Sequence, residues 1–462
     1  MSVMMSEQTS LEVAGKRVAV IGLGRSGLAA VRLLQRLGAR VTVADQKPSS
    51  ELAAALGGLP AGEVEIHGAG GYTAALQGAE VVVVSPGVPM ALEPLQRARQ
   101  AGVRIIGELE LASRHLTGRI LAVTGTNGKS TTVTWIGELL RGAGYDPFVG
   151  GNLGTPLTEA ALASLEGKVW DLVVAEVSSF QLETIESFRP WIGAILNVTP
   201  DHLDRYPSME AYAAAKLRLF ENQGDEDYAV LNADDPCLSR SSVRSRSARI
   251  EFSRTRPVER GVCLDGDVIV SNLYGRRDEV CRVDALPVKG AHNIENAMAA
   301  AAVAALAGCP IDVINQGLRA FRGLEHVMEV VRVLRGVAYI NDSKGTNVDA
   351  TIKALESVPA PVILIAGGRE KGGAYPGLAE AVRRKARRVI LLGEARARLR
   401  EVLAGACPIT EAASLRDAVR DAANTAAAGD TVLLSPACAS FDMFADYKDR
   451  GRQFKESVHE LG

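Results

Sequence analysis

The run GTNGKST at residues 125–131 lies between a strand-like ILAV and a helix-like TTVTWIGELLRGAG. A strand that feeds a helix through a glycine-rich loop is a phosphate site. Gly125 and Gly128 let backbone N–H groups of the loop (Gly125, Thr126, Asn127, Gly128, Lys129, Ser130, Thr131) ring an anion at a helix N-terminus. Lys129 is placed to neutralise a transferring phosphate and Ser130 to bind magnesium. Val123 stands where the usual GxxxxGKS spacing has its first glycine, so the run indicates a related but distinct ATP loop. Val133, Ile136, Leu139 and Leu140 give the following helix an apolar stripe at 3.6-residue spacing.

Such a loop needs a parallel sheet under it, and the chain offers three stretches of alternating strand-like and helix-like runs. With 462 residues it is too long for one ordinary domain. The expected fold is α/β in three domains. Residues 1–116 form a Rossmann-like nucleotide-binding domain, 117–323 a central P-loop-type ATPase domain, and 324–462 a C-terminal Rossmann-like α/β domain. A formal net charge of −2 gives no whole-protein field for nucleic acid or an anionic membrane. The near-apolar run over residues 297–308 is too short to span a bilayer and fits a buried helix. No basic-then-apolar leader opens the chain, and six scattered cysteines fit neither zinc nor a disulfide framework. These features predict a cytoplasmic protein. The Ser/Arg-rich residues 239–260 read as a solvated surface loop.

The first domain opens with GLGRSG (Gly22, Gly24, Gly27) after VAVI, followed by Asp45 at the next strand end. A dinucleotide cofactor, and hence an oxidoreductase, is one reading; the pyrophosphate of a sugar nucleotide satisfies the same geometry. Arg25 and Lys47 add charge suited to phosphate, and Ser85–Gly87 forms a further strand-end turn. In the second domain Glu176 ends DLVVAE and His202 follows another strand, so both fall on the sheet edge that binds ligands. Beside an ATP loop they make good magnesium ligands. Lys216, in AYAAAKLRLF, serves a metal only if converted to a carbamate, because an ammonium cannot coordinate a cation.

Together GTNGKST, EVSSFQLE, NVTPDHLDRY, GAHNIEN, INDSKGTN and LLSPACASFDMF resemble the Mur ligases of peptidoglycan assembly over essentially the whole chain, and the last two motifs resemble its D-glutamate-adding branch. The resemblance implies ATP and magnesium as cofactors, and UDP-N-acetylmuramoyl-L-alanine and D-glutamate as substrates of a monomer. By the same resemblance, Lys129 holds phosphates, Ser130 and Glu176 hold one magnesium, and His202 with carbamylated Lys216 supports a second. Asn293 and Asn296 lie on the nucleotide side, Asp342 binds ribose, and Lys344 lies near the phosphates. Arg25, Ser26, Asp45, Lys47, Ser85 and Gly87 bind the UDP portion, and Asn152 reaches the sugar side. Thr346, Lys371, Ser440, Phe441 and Tyr447 line up with the D-glutamate pocket. One position departs: the family's LxHRxE segment reads LEHVME here, with Val327 in place of a phosphate-directed arginine and Arg322, Arg332 or Arg335 as other sources of charge.

Overall fold

The computed structural model describes residues 11–57, 64–152, 154–203, 205–239, 246–288, 290–370, 375 and 377–462. Three sheets follow one another along the chain. The first has five parallel strands in the spatial order Glu65–His67, Arg40–Ala44, Arg17–Ile21, Val81–Val84 and Arg104–Gly107. Its central strands are continuous Val/Ile/Ala runs because helices cover both faces. The helix Arg25–Arg36 starts at GLGRSG, and a Cβ added to Gly27 would meet the Gly22 carbonyl oxygen at 2.0 Å. Only glycine lets the helix sit that close to the turn.

The second sheet has nine strands, in the order Asp278–Arg282, Val268–Ser271, Gly261–Asp265, Ala248–Ser253, Tyr228–Asn232, Ile192–Ile195, Arg119–Thr124, Leu172–Glu176 and Pro147–Gly151. The phosphate-loop strand Arg119–Thr124 lies between the strands leading to Glu176 and to NVTPDH, which brings the three motifs to one edge. The helix Ala291–Leu306 is buried almost throughout its last three turns and packs beside the loop helix Lys129–Gly142. Its alanines bring the two backbones close, and Trp135 stacks on Phe321 below with ring centroids 4.3 Å apart. This is the buried helix predicted from residues 297–308.

Two expectations are corrected. Within the Ser/Arg-rich stretch, Ala248–Ser253 is an inner strand pairing with Tyr228–Asn232 and Gly261–Asp265. Ile250 and Phe252 are buried while Arg249 pairs with Glu251 at 3.1 Å on the more open face, a period-two pattern hidden among arginines. Residues 240–245 lie outside the described residues. The sheet is also mixed rather than parallel throughout: Gly261–Asp265 turns through Gly266 (φ 59°) into an antiparallel hairpin, and a third antiparallel strand follows.

The third sheet runs Glu329–Leu334, Val337–Asn341, Thr431–Leu434, Val362–Gly367, Ala386–Leu392 and Ile409–Glu411, parallel except for its first, antiparallel strand. Among the described residues no helix is long and apolar enough to cross a membrane.

Candidate active site

Loops at the carboxyl ends of the second and third sheets enclose a cavity of about 270 Å³, where ligands of open α/β sheets bind. On one side stands the phosphate loop. Gly128, at φ 85°, precedes the helix Lys129–Gly142, and its absent Cβ would fall 2.2 Å from Asn296 Oδ1, so glycine lets the helix bearing Asn293 and Asn296 close over the loop. Asn197 clamps the loop from behind: its Oδ1 accepts from Asn127 N at 2.9 Å and its Nδ2 donates to Asn127 O at 3.1 Å. Lys129 is curled inward, with Nζ donating to the Gly125 and Thr126 carbonyls at 2.8 and 2.7 Å. Thr126, Asn127, Ser130 and Thr131 line the cavity with it.

A polar chain crosses the cavity floor. Ser130 Oγ donates to Glu176 Oε2 at 2.5 Å, and Asn152 Nδ2 donates to Glu176 Oε1 at 2.8 Å. Asn152 thus sits beside the phosphate loop rather than apart from it. Lys344, from the third sheet, donates to the Ser130 hydroxyl, and its ammonium lies over the Tyr447 ring at 5.6 Å. Burial lowers the Lys344 pKa to about 8 against the opposing pull of Glu176. An ammonium therefore stands where hydroxyl and carboxylate oxygens converge, a hard-oxygen donor set that suits magnesium.

His202 (φ 56°) lines the cavity and packs edge-on against Phe180, with centroids 4.7 Å apart. Asp201, which sequence reasoning missed although it sits within NVTPDH, lines the cavity next to it. Lys216 lies behind the loop, 1% exposed, with Nζ donating to Gly125 O at 2.9 Å. Burial and the neighbouring Lys129 charge hold its pKa well below the usual lysine value. As an unmodified ammonium it does not fit a metal.

From the third sheet, Asp342 is buried, accepts from Ser435 Oγ at 2.7 Å, and is raised by burial to a pKa of about 7. Thr346 and Tyr447 line the same cavity; burial, then Glu176, pushes the Tyr447 phenol up to about 12. Ser440 and Phe441 do not line it: Ser440 is buried in the loop after Thr431–Leu434, and Phe441 is 63% exposed. Lys371 lies outside the described residues. Arg450, also missed, is buried and anchors the strand-end loop by donating to Ser343 O at 2.8 Å and Cys438 O at 3.2 Å.

The first sheet supplies a separate edge. Asp45 accepts from Leu23 N at 2.6 Å and Lys47 N at 3.0 Å, so its oxygens shape the GLGRSG turn. Ser85 Oγ donates to Gly22 O at 2.8 Å. Arg25, Ser26, Lys47, Ser85 and Gly87 are not part of the cavity wall, though Arg25 lies near enough to Tyr447 to lower its pKa. Arg205 links the two edges, donating to Pro86 O at 3.1 Å and to Glu183 at 2.7 Å.

Residues 16–107 match the Mur ligase MurD-like N-terminal domain, 123–304 the Mur ligase middle domain, and 328–438 the Mur ligase glutamate ligase domain. The UDP-N-acetylmuramoylalanine–D-glutamate ligase of Pelotomaculum thermopropionicum is 48% identical, covering 96% of this chain and 98% of that relative. The chain belongs to the Mur ligase family. The ligase of the same name from Syntrophotalea carbinolica is 45% identical, covering 97% of this chain and 99% of its own. Among solved structures, UDP-N-acetylmuramate–alanine ligase from Thermotoga maritima superposes with a TM-score of 0.60 at 20% identity, covering 97% of this chain and all of that one, and shares the fold. In this Mur ligase, then, the three sheets are the N-terminal, middle and glutamate-ligase domains.

Proposed function

We infer that this Mur ligase joins D-glutamate to UDP-N-acetylmuramoyl-L-alanine with cleavage of ATP to ADP and phosphate. Full-length relatives bearing that activity in their names support the substrates. The observation that carries the site assignment is Lys344 of the third domain reaching Ser130 of the phosphate loop, which puts both halves of a ligase centre in one cavity.

The substrate carboxylate attacks the γ-phosphorus of ATP, forming an acyl phosphate and releasing ADP. The amine of D-glutamate then attacks the acyl carbon, loses a proton, and phosphate departs from the tetrahedral intermediate. Lys129 swings from its two loop carbonyls onto the phosphates, and Lys344 balances charge from the opposite wall. Asp342 accepts from ribose, and Asn293 and Asn296 face the base side of the nucleotide. Arg25, Ser26, Asp45, Lys47, Ser85, Gly87 and Asn152 bind the nucleotide-sugar substrate. Thr346 and Tyr447 receive D-glutamate from the cavity wall; Lys371 joins them by the family resemblance, as do Ser440 and Phe441, which lie off that wall in this arrangement. Ser130 and Glu176 would hold one magnesium, and His202 with carbamylated Lys216 a second; the metals supply charge neutralisation among crowded anions. Burial favours the neutral Lys216 amine, which adds to carbon dioxide and releases one proton. The enzyme works as a cytoplasmic monomer.

The test is phosphate release with ATP, UDP-N-acetylmuramoyl-L-alanine and a panel of amino acids. Turnover should require D-glutamate. Equal turnover with L-alanine and the unsubstituted muramic acid nucleotide would overturn the reading.

A further inference from the structure

The helix Val348–Ser357 follows INDSKGTN directly, and its first turn lies against two loops of the middle domain. A single oxygen, Asp349 Oδ2, accepts from Asn127 Nδ2 of the phosphate loop at 2.6 Å and from Thr199 Oγ1 at 2.9 Å. Lys353, one turn along the same helix, reaches that oxygen at 2.9 Å. Just before it, the N-cap Asn347 uses Oδ1 to cap Ala350 N at 2.8 Å, while its Nδ2 donates to Asn127 Oδ1 and Asp201 Oδ2, each at 3.2 Å. Thus the helix start that follows Asp342 and Lys344 is tied to the middle domain by Asp349 and Asn347, and Asp349 supplies the one charged acceptor among these bonds.

The chemistry of these donors matters. Asn127 and Thr199 are neutral, and Asp349 supplies the charge that strengthens both bonds. Thr199 is itself tied to the loop through its backbone: its N–H goes to Thr126 Oγ1 at 3.0 Å and its carbonyl accepts from that hydroxyl at 3.1 Å, which leaves its side-chain hydroxyl to reach Asp349. A carboxylate bonded to Asn127 and Thr199 therefore reads the loop at two points on either side of Thr126. Rotation of the third domain away from the middle domain breaks both bonds at once and carries Lys344 off Ser130.

We propose that Asp349 is a positioning residue for the ligase reaction, a latch that docks the third domain on the phosphate loop and so sets Lys344 over Ser130 in the closed state. The role rests on the ligase reading above. Asp349 also stands in the first turn of its helix, where any acid stabilises the helix end, so the test must separate docking from helix stability.

The experiment compares Asp349→Ala, Asp349→Asn, Thr199→Val and the Asp349→Ala/Thr199→Val double variant in the full chain. Two readouts are taken: kcat/KM for D-glutamate, and the fall in radius of gyration by small-angle scattering on adding magnesium and ADP. Misplacing the closed geometry should lower kcat/KM about 10- to 100-fold in Asp349→Ala. Asparagine keeps an acceptor for Asn127 and Thr199 and should stay within about threefold of the parent. Thr199→Val leaves the helix untouched, should fall by about threefold, and should add nothing to Asp349→Ala. Asp349→Ala should also lose the nucleotide-driven compaction. Parental kinetics and compaction in Asp349→Ala, equal losses in Asn and Ala, or full additivity with Thr199→Val would each overturn the latch. The scattering arm needs only nucleotide: compaction lost in Asp349→Ala supports the latch even if the parent turns over no amino acid, an outcome that would overturn the substrate assignment instead.

Discussion

Replacing Val327 by arginine asks how much this cavity loses by lacking a guanidinium. Val327 is half-buried in the wall beside Met328 and Asp342, and among the described residues lining the cavity there is no arginine. The three lysines present are committed: Lys129 to two loop carbonyls, Lys344 to Ser130, and Lys353 to Asp349. The other arginines nearby in sequence cannot replace it. Strand Glu329–Leu334 leads away from the cavity at roughly 3.3 Å per residue, which carries Arg332 about 10 Å beyond Glu329 and Arg335 farther. Both end at the carboxyl terminus, Arg332 donating to Leu461 O at 2.9 Å and Arg335 to Gly462 O at 3.0 Å. Arg322 is exposed and outside the cavity wall. A hydrogen bond to a charged phosphate contributes roughly 1.5–3 kcal/mol, or about 10- to 100-fold in rate if made in the transition state. Val327→Arg should therefore raise kcat/KM for ATP by about 10-fold or more, with the half-saturation for D-glutamate little changed. Steady-state kinetics of the two proteins side by side decide it. Unchanged ATP kinetics, with brisk turnover by the parent, would refute the reasoning and mean that the lysines already meet the phosphate charge.

Three further outcomes are expected. Lys129→Ala should lower kcat/KM by about 10³-fold while thermal unfolding shifts little, because its side chain is half-buried and its bonds to Gly125 O and Thr126 O stay within its own loop; near-parental turnover would exclude this loop from the chemistry. For Lys344 the free-enzyme pKa of about 8 means that the cation is lost as pH rises, so kcat/KM for ATP should fall above that value, and Lys344→Arg should move this limb to higher pH; an unmoved limb assigns it elsewhere. Lys216 should show a carbamate carbon signal when the enzyme is supplied with labelled bicarbonate, and the signal should vanish in Lys216→Arg; an unmodified lysine in a catalytically competent magnesium–ADP crystal would contradict it.

Much of this site was legible because its chemistry is local in sequence. GTNGKST, Glu176 and the INDSKGTN segment each sit at a strand end, and parallel sheets bring strand ends together whatever the intervening length. What sequence reasoning missed are residues whose role is a contact between loops. Asn197 clamps Asn127 from 70 positions away, and Asp349 reaches the same residue from 222 positions away; nothing in spacing marks either. The inner strand Ala248–Ser253 was hidden for a different reason, since Arg249 and Glu251 on its open face, in a stretch rich in Ser and Arg, masked the alternation of Ile250 and Phe252. Ser440 was grouped with the amino-acid pocket by resemblance, yet it is packed into its own loop in this arrangement.

The electrostatics of the cleft explain why closure and nucleotide belong together. Burial lowers the pKa of Lys216 and Lys344 and raises that of Asp342 to about 7, so each group is held where its charged form is disfavoured. The cavity wall sets Lys129, Lys344 and Lys353 among the carboxylates Glu176, Asp201, Glu295 and Asp342, so a polyanion that enters with its metals meets cations for its phosphates and carboxylates for the metals in a low-dielectric setting. In the proposed reaction Lys129, which rests on the Gly125 and Thr126 carbonyls, exchanges them for the phosphates. Asp349 and Asn347 are bonded to side chains of the middle-domain loops. The arrangement separates two tasks: lysines and carboxylates respond to the nucleotide, while the neutral and ionic contacts at one helix end hold the domains at the distance where that response becomes chemistry.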